Sequence, residues 1–220
     1  MKTAKENLLR SSINKENFSE AKKEWQVTSR IFDNFGDDAD FSETAPCCEL
    51  CEHENLRWQF EIINTKNSLL LLVGSTCIKQ FDIPIINEDL STLTGEERDR
   101  TLQKRIDDQK KEKNHNEILE KLRKLWKKDK QNREKIEFIA KHWKKENKFD
   151  PIDAYFIRSR LINLEIPLGN CRMEVNLRSL KNKLQIVSMP DKQIDLLTEI
   201  LTSAQKKALT NLKEKYAYKN

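Results

Sequence analysis

Alternating apolar and polar positions mark the first third of the chain as a small sheet. Every second position from Trp25 to Ile31 is Trp25, Val27, Ser29 and Ile31, a spacing that suits a strand. The alternation is strict from Arg57 to Ile62, so Trp58 and Phe60 share one face. The run Leu69 to Val73 is apolar at every position, which predicts a strand buried on both faces in the centre of the sheet.

Helical periodicity replaces this alternation after Thr94, which stands three residues before Glu97 in the spacing of a capping box. The region 95–147 is predicted to be helical and highly charged, with apolar anchors returning at three- and four-residue steps from Ile118. Asp150 and Pro151 then begin another helix. Three more helices are predicted, over residues 177–187, 191–201 and 203–216.

Composition favours small cores joined by solvated helices. Gly 4 and Pro 5 are few, and charged residues reach 35% of the chain. The first residues lack the apolar core of a signal peptide, and the longest apolar run is too short to cross a bilayer. We therefore expect a cytoplasmic protein without membrane contact, in which clustered cysteines more often hold a metal than form disulfides.

Three cysteines have the order of a treble-clef zinc site. Cys48 and Cys51 have the spacing of a zinc knuckle, and Cys77 follows the predicted hairpin at the start of a helix, which favours its thiolate form. These residues predict a bound Zn²⁺. The fourth ligand is left open between His53, which is preferred, the adjacent Cys47, and a more distant residue such as His115.

The alternative interpretation of the cluster is a set of reduced thiols packed in a small core. A catalytic metal or thiol is disfavoured, because no general base accompanies the cysteines. The chain also has no glycine-rich phosphate loop and no nucleophile elbow. We therefore predict a protein that is not an enzyme and has no small-molecule substrate.

The segment from Trp25 to Phe81 resembles a zinc-finger module of uncharacterised phage, prophage and viral proteins, over roughly residues 24–82. The matching pattern is a Trp-led strand, Cys-x-x-Cys or a close variant, an alternating strand ending in Ile-x-Asn, and then Val-Gly-Ser-x-Cys-Ile-x-x-Phe. The chain departs from that pattern at Asn67-Ser68, near a usual Thr-Gly. The resemblance implies a bound metal and a phage or prophage setting, and it implies no activity. The residues that carry it are Trp25, Cys48, Cys51, Ile63, Asn64, Val73, Gly74, Ser75, Cys77, Ile78 and Phe81.

Two Trp-Lys-Lys elements lie in the charged helical region, where basic side chains outnumber acidic ones by seven over residues 96–148. Tryptophans beside lysines suit stacking on bases and contact with phosphates. The alternative is that the tryptophans anchor a core while the lysines cover a solvated face. Seventeen residues of straight helix place the two tryptophans about 100° apart, which argues against one continuous stripe. The candidate residues are Trp126, Lys127, Lys128, Trp143, Lys144 and Lys145.

Together these features predict an α+β protein. Its parts are a flexible N-terminus over 1–23, a small zinc-bound β-hairpin domain of treble-clef type over 24–87, a long charged helix over 95–147 and a helical C-terminal unit over 150–220. The predicted function is that of a non-enzymatic phage- or prophage-type protein that binds DNA or RNA or acts in regulation. The alternative is an adaptor that binds a host protein and uses zinc only as a structural staple.

Overall fold

The chain adopts the predicted α+β class in a computed structural model that describes residues 2–35, 45–87 and 89–217. It divides into two compact units, Met1–Gln109 and Lys110–Asn220, and the boundary falls inside the longest helix. Each unit has its own buried apolar cluster. None of the helices in the described ranges has the length and apolarity needed to cross a membrane.

The described part of the first unit contains a five-stranded sheet. Its strands are β1 Trp25–Asp33, β2 Trp58–Asn64, β3 Leu70–Val73, β4 Ile85–Ile86 and β5 Thr92–Leu93. Their order in the sheet is β3-β2-β1-β4-β5. Strands β1 and β4 are parallel, and the other neighbouring pairs are antiparallel. The predicted strands at Trp25 and Trp58 are confirmed as β1 and β2.

The prediction that the Leu69–Val73 run is a central strand is wrong. It forms β3 at one edge of the sheet, and Leu70 is 46% exposed. Part of the outer edge of β3 is occupied by the cysteine loop, since the Glu49 N–H donates to the Leu72 carbonyl at 3.0 Å. The Leu72 N–H in turn donates to the Glu49 carboxylate. These bonds blunt an edge that would otherwise offer free backbone groups for pairing.

The N-terminal segment, predicted to be flexible, contains helices α1 Lys2–Ser11 and α2 Phe18–Ala21. Leu8 is fully buried in the core of the first unit. The buried Glu24 carboxylate accepts hydrogen bonds from the Ile13 and Asn14 N–H groups and from Asn64 Nδ2. Burial opposes ionisation of Glu24, but these hydrogen bonds outweigh it and lower the pKa of the carboxyl group. The carboxylate thereby ties the N-terminal segment to the end of β2.

Helix α3 Ser75–Gln80 follows β3, and α4 Gly95–Lys128 contributes residues to both units. The charged middle of α4 lacks the regularly spaced apolar residues of an amphipathic helix, yet it is helical without a break. The long helix predicted over 95–147 is interrupted after Lys128 by a short 3₁₀ turn, Lys130–Asn132, and resumes as α5 Arg133–Glu146. Four more helices follow in the described part of the second unit, near the predicted positions. They are α6 Pro151–Asn163, α7 Leu180–Val187, α8 Asp191–Thr198 and α9 Ser203–Ala217.

The core of the second unit joins the second half of α4 to α5–α9. Leu122 and Leu125 of α4 pack in the same cluster as Ile136 and Ile139 of α5. Helix α5 is capped at its C-terminus by Asn147. The left-handed conformation of Asn147 (φ 53°) lets its N–H donate to the Trp143 carbonyl. This arrangement places the last turns of α4 beside α5, where one face of each helix remains in contact with solvent.

Candidate functional site

A closed loop positions the first two cysteines. The Glu52 N–H donates to the Cys48 carbonyl at 2.7 Å, and the Cys48 N–H donates to the His53 carbonyl at 2.9 Å. Glu52 has a positive φ of 59°, which turns the chain back on itself after Cys51. The loop therefore has the tight turn that two thiolates need to reach one ion.

The third cysteine is delivered by β3 and α3. Gly74 caps the N-terminus of α3, and Cys77 lies in the first turn of that helix. The Gly74 N–H donates to the Cys48 sulfur at 3.5 Å. A Cβ atom at Gly74 would lie 3.2 Å from Leu56 Cδ1, so the strand-to-helix corner is closely packed.

The sulfur atoms of Cys48, Cys51 and Cys77 all lie within 4.8 Å of one another. Cys48 Sγ and Cys77 Sγ are 3.6 Å apart, which is too long for a disulfide and close to the spacing in a metal–thiolate site. Two thiolates bound to one tetrahedral zinc through bonds of ~2.3 Å are about 3.8 Å apart. The three side chains can therefore hold a metal ion.

Protons in this cluster are distributed unevenly. The Cys77 thiol donates a hydrogen bond to Cys48, and this bond, together with N–H groups of the loop and of Gly74, outweighs burial and lowers the pKa of Cys48 to about 5. The hydrogen bond to Cys48, burial and the neighbouring thiolate charge raise the pKa of Cys77. The sequence predicted that the helix start favours the thiolate form of Cys77. With no metal considered, the cluster instead favours the thiolate form of Cys48. A divalent cation removes this difference, because it favours the deprotonated form of every thiol that it binds.

The candidates for a fourth ligand lie outside this group of three. His53 is exposed, and the structure uses its backbone carbonyl rather than its ring to close the loop. The Cys47 carbonyl accepts a hydrogen bond from Gln59 Nε2 at 2.7 Å. His115 belongs to the second unit, where its ring stacks on Trp143 with centroids 6.0 Å apart.

The two tryptophans of the Trp-Lys-Lys elements have different environments. Trp143 is 1% exposed and stacks on Phe149 with ring centroids 4.5 Å apart. Trp126 is 38% exposed. The lysines that follow both tryptophans, Lys127, Lys128, Lys144 and Lys145, are exposed. Only the indole of Trp126 therefore has surface on which a ligand can stack.

A groove of about 300 Å³ lies between the end of α4 and the middle of α5, with a mostly apolar lining. It brings Trp126 and Lys127 of α4 together with Lys144 of α5. Three of the six residues predicted for nucleic-acid binding therefore share one site. The lining is completed by Leu119, Leu122, Arg123, Ile136, Glu137 and Ala140.

Three residues of α4 and α5 were not singled out from the sequence. Arg133 places its guanidinium 4.3 Å from the centroid of the Trp126 ring, and its Nε donates to the Trp126 carbonyl at 3.1 Å. Arg123 lines the groove, and Phe138 of α5 is 68% exposed. The signal for Phe138 was a large aromatic residue out of phase with the apolar anchors Ile136 and Ile139.

Comparison of the chain with protein-family models, with curated proteins and with solved structures finds no match. The fold, the cysteine cluster and the groove are therefore the observations from which a function can be argued.

Proposed function

We propose that the protein is a non-enzymatic, zinc-stapled nucleic-acid-binding protein. The observation that carries this proposal is the exposed Trp126 at a groove whose basic side chains are Arg123, Lys127 and Lys144. An exposed aromatic ring among basic side chains is the combination that binds bases and phosphates together. The phage- or prophage-type setting and the cytoplasmic location belong to the same proposal and have their support in the sequence.

In this proposal Zn²⁺ is held by Cys48, Cys51 and Cys77, with His53 or Cys47 as the fourth ligand. The support is the sulfur spacing and the order of loop, hairpin and helix, which is that of a treble-clef site. The metal stabilises the first unit, while the basic surface lies in the second unit. No catalytic role is assigned to the metal, since structural zinc sites are closed by four ligands.

The test is the salt dependence of binding to DNA and RNA. Each phosphate contact contributes about −0.7 to −0.9 to the slope of log affinity against log salt. Replacing Lys127, Lys128, Lys144 and Lys145 by Gln should therefore flatten the slope by up to roughly 3. Helical circular dichroism should hardly change, because Gln is also a good helix former.

A matched control removes the same charge from another surface of the second unit. Lys181, Lys192, Lys206 and Lys207 are exposed and lie outside the groove lining. Their joint replacement by Gln should leave most of the slope intact. If both quadruple variants change the slope equally, binding follows net charge and the proposed surface is wrong.

A second candidate function is that of an adaptor for a host protein, which the apolar lining of the groove favours. A protein partner would place an apolar side chain in the groove and acidic side chains against its basic rim. The adaptor predicts no salt-sensitive binding of nucleic acid by the unmodified protein, so the same salt series distinguishes the two functions.

A further inference from the structure

We propose that the groove between α4 and α5 receives one unstacked base of a single-stranded nucleic acid, with the Trp126 indole as its stacking platform. This inference rests on the proposed nucleic-acid binding and adds the form of the nucleic acid, which is single-stranded, and the place of one base.

The size and lining of the groove suit a single flat group. Its volume of about 300 Å³ lies at the lower end of the range for small-ligand pockets. Leu119, Leu122, Ile136 and Ala140 supply aliphatic surface, and Trp126 supplies an aromatic one. Stacking against an aromatic ring beside aliphatic side chains is how flipped or unpaired bases are held without reading their sequence.

The indole is already held in place. The Arg133 guanidinium lies over the Trp126 ring, and the same side chain is bonded to the Trp126 carbonyl. The Trp126 ring lines the groove, and Arg133 is not among the lining residues. A base entering the groove therefore meets a fixed ring and pays little conformational entropy for stacking.

Charge around the groove complements a nucleic-acid backbone. Arg123, Lys127 and Lys144 bring three positive charges. Glu137 is the acidic member of the lining, and its carboxylate is 2.8 Å from Lys141 Nζ, so a neighbouring charge compensates it. Phosphates on either side of an inserted base would meet this basic rim. A duplex cannot supply the base, because its bases are stacked and paired.

These observations favour a nucleic-acid strand over an amphipathic helix of another protein. A helix in a groove needs a row of anchor sites at i, i+3, i+4 and i+7, and the groove has room for about one group.

The experiment compares Trp126→Leu with Trp126→Phe on short oligo(dT), oligo(dA) and the duplex that they form. Trp126→Leu keeps an apolar lining and removes the aromatic face, while Trp126→Phe retains a smaller ring. We expect the unmodified protein to bind the single strands more tightly than the duplex. Trp126→Leu should weaken single-strand binding about 5- to 150-fold, the range for loss of one base–aromatic stack.

Four further results are expected. Duplex binding should change little in Trp126→Leu, Trp126→Phe should recover most of the single-strand affinity, and the salt slope should match that of the unmodified protein because the phosphate contacts remain. Emission from a 2-aminopurine base in the single strand should be quenched by the unmodified protein and not by Trp126→Leu. Circular dichroism and thermal unfolding verify that each variant is folded.

The failure of this inference differs from the failure of the proposed function. Steep salt-dependent binding with equal affinity of Trp126→Leu and the unmodified protein would overturn base insertion and leave nucleic-acid binding standing. Absence of oligonucleotide binding at low salt would overturn both. Binding of an acidic peptide with one aromatic residue, lost in Trp126→Leu, together with no oligonucleotide binding, would assign the groove to a protein partner.

Discussion

The cysteines of this chain illustrate how neighbouring groups decide the chemistry of identical side chains. Cys48 receives hydrogen bonds from another thiol and from backbone N–H groups, which favour its thiolate. Cys171 lies in the second unit, where burial and the nearby Glu117 carboxylate raise its pKa to about 11. A thiol with such a pKa stays protonated at neutral pH and makes a poor metal ligand.

This contrast predicts which cysteines control zinc content. Cys77→Ser should reduce zinc from close to one ion per chain to a small fraction, because two thiolates and one further ligand hold the ion far more weakly than four ligands do. Cys171→Ser is the matched control and should keep the ion. Metal analysis of protein purified without added zinc is the measurement, and a full ion in Cys77→Ser would contradict the assignment.

Two further variants can identify the fourth ligand, which the spacing of the cysteines left open. Cys47→Ser and His53→Gln are measured beside the unmodified protein, and the true ligand is the one whose loss lowers the affinity for zinc in a competition with a zinc chelator.

The Cys-x-x-Cys spacing could be predicted from the sequence because it is a local geometry. The difference between Trp126 and Trp143 was not, because it depends on the packing of Trp143 against Phe149.

At the scale of elements, a buried carboxylate organises the joint between α4 and α5. Asp129 is one residue beyond the end of α4, and its carboxylate accepts hydrogen bonds from Asn132 Nδ2 at 3.0 Å and Arg160 Nε at 2.7 Å. Burial opposes ionisation, but the bonds from Asn132 and Arg160 and the charge of Arg160 outweigh it, so the pKa of Asp129 is lowered. The joint sets how α5 lies against α4, and hence the shape of the groove.

Asp129→Asn should therefore destabilise the second unit by about 1–3 kcal/mol, because Arg160 loses its charged partner. A lowered pKa in the folded state means that the stabilisation by Asp129 is complete above the ordinary aspartate pKa of 3.8. It is lost as pH falls through the lower pKa of the folded state. Denaturant unfolding followed at the second unit should give a difference that is constant from pH 5 to 8 and shrinks in acid.

A comparison variant separates this pair from general surface charge. Glu120 forms an exposed ion pair with Lys124 on α4, and Glu120→Gln should change the unfolding free energy much less than Asp129→Asn does, because solvent screens an exposed pair. If Asp129→Asn behaves like Glu120→Gln, the buried network does not stabilise the joint.

Sequence periodicity predicted where the strands and helices lie along the chain. It predicted less well which strands and side chains each of them contacts. The alternation around Trp58 located β2. Gln59 and Glu61, which point away from Trp58 and Phe60 in that alternation, are also buried, and they bond to Cys47, Thr28 and other groups. The apolar run of β3 suggested a central position, and the bonds of Glu49 to that edge could not be foreseen. Such pairings join residues distant in sequence, and no local pattern encodes them.

At the scale of the whole molecule, the two units have separate means of stabilisation. The buried cluster of the first unit includes Trp25 and Phe60 together with Cys48 and Cys77, so the cysteine site is part of that core. The cluster of the second unit is formed entirely by residues after Lys110, including Trp143 and Phe149. Removing a metal ion from the cysteine site should therefore destabilise the first unit and leave the stability of the second unit unchanged.

Zinc chelation should remove amide protection from β1, β2 and α3 while α6 keeps its protection. The reason is that metal binding supplies folding free energy directly to the unit that contains the ligands. The second unit has capped helices and an apolar core of its own. Native-state hydrogen exchange before and after addition of a chelator is the measurement, with re-addition of zinc as the control for reversibility. Equal loss of protection in both units would show that the two fold as one cooperative body, and unchanged protection in the first would show that zinc is not its staple.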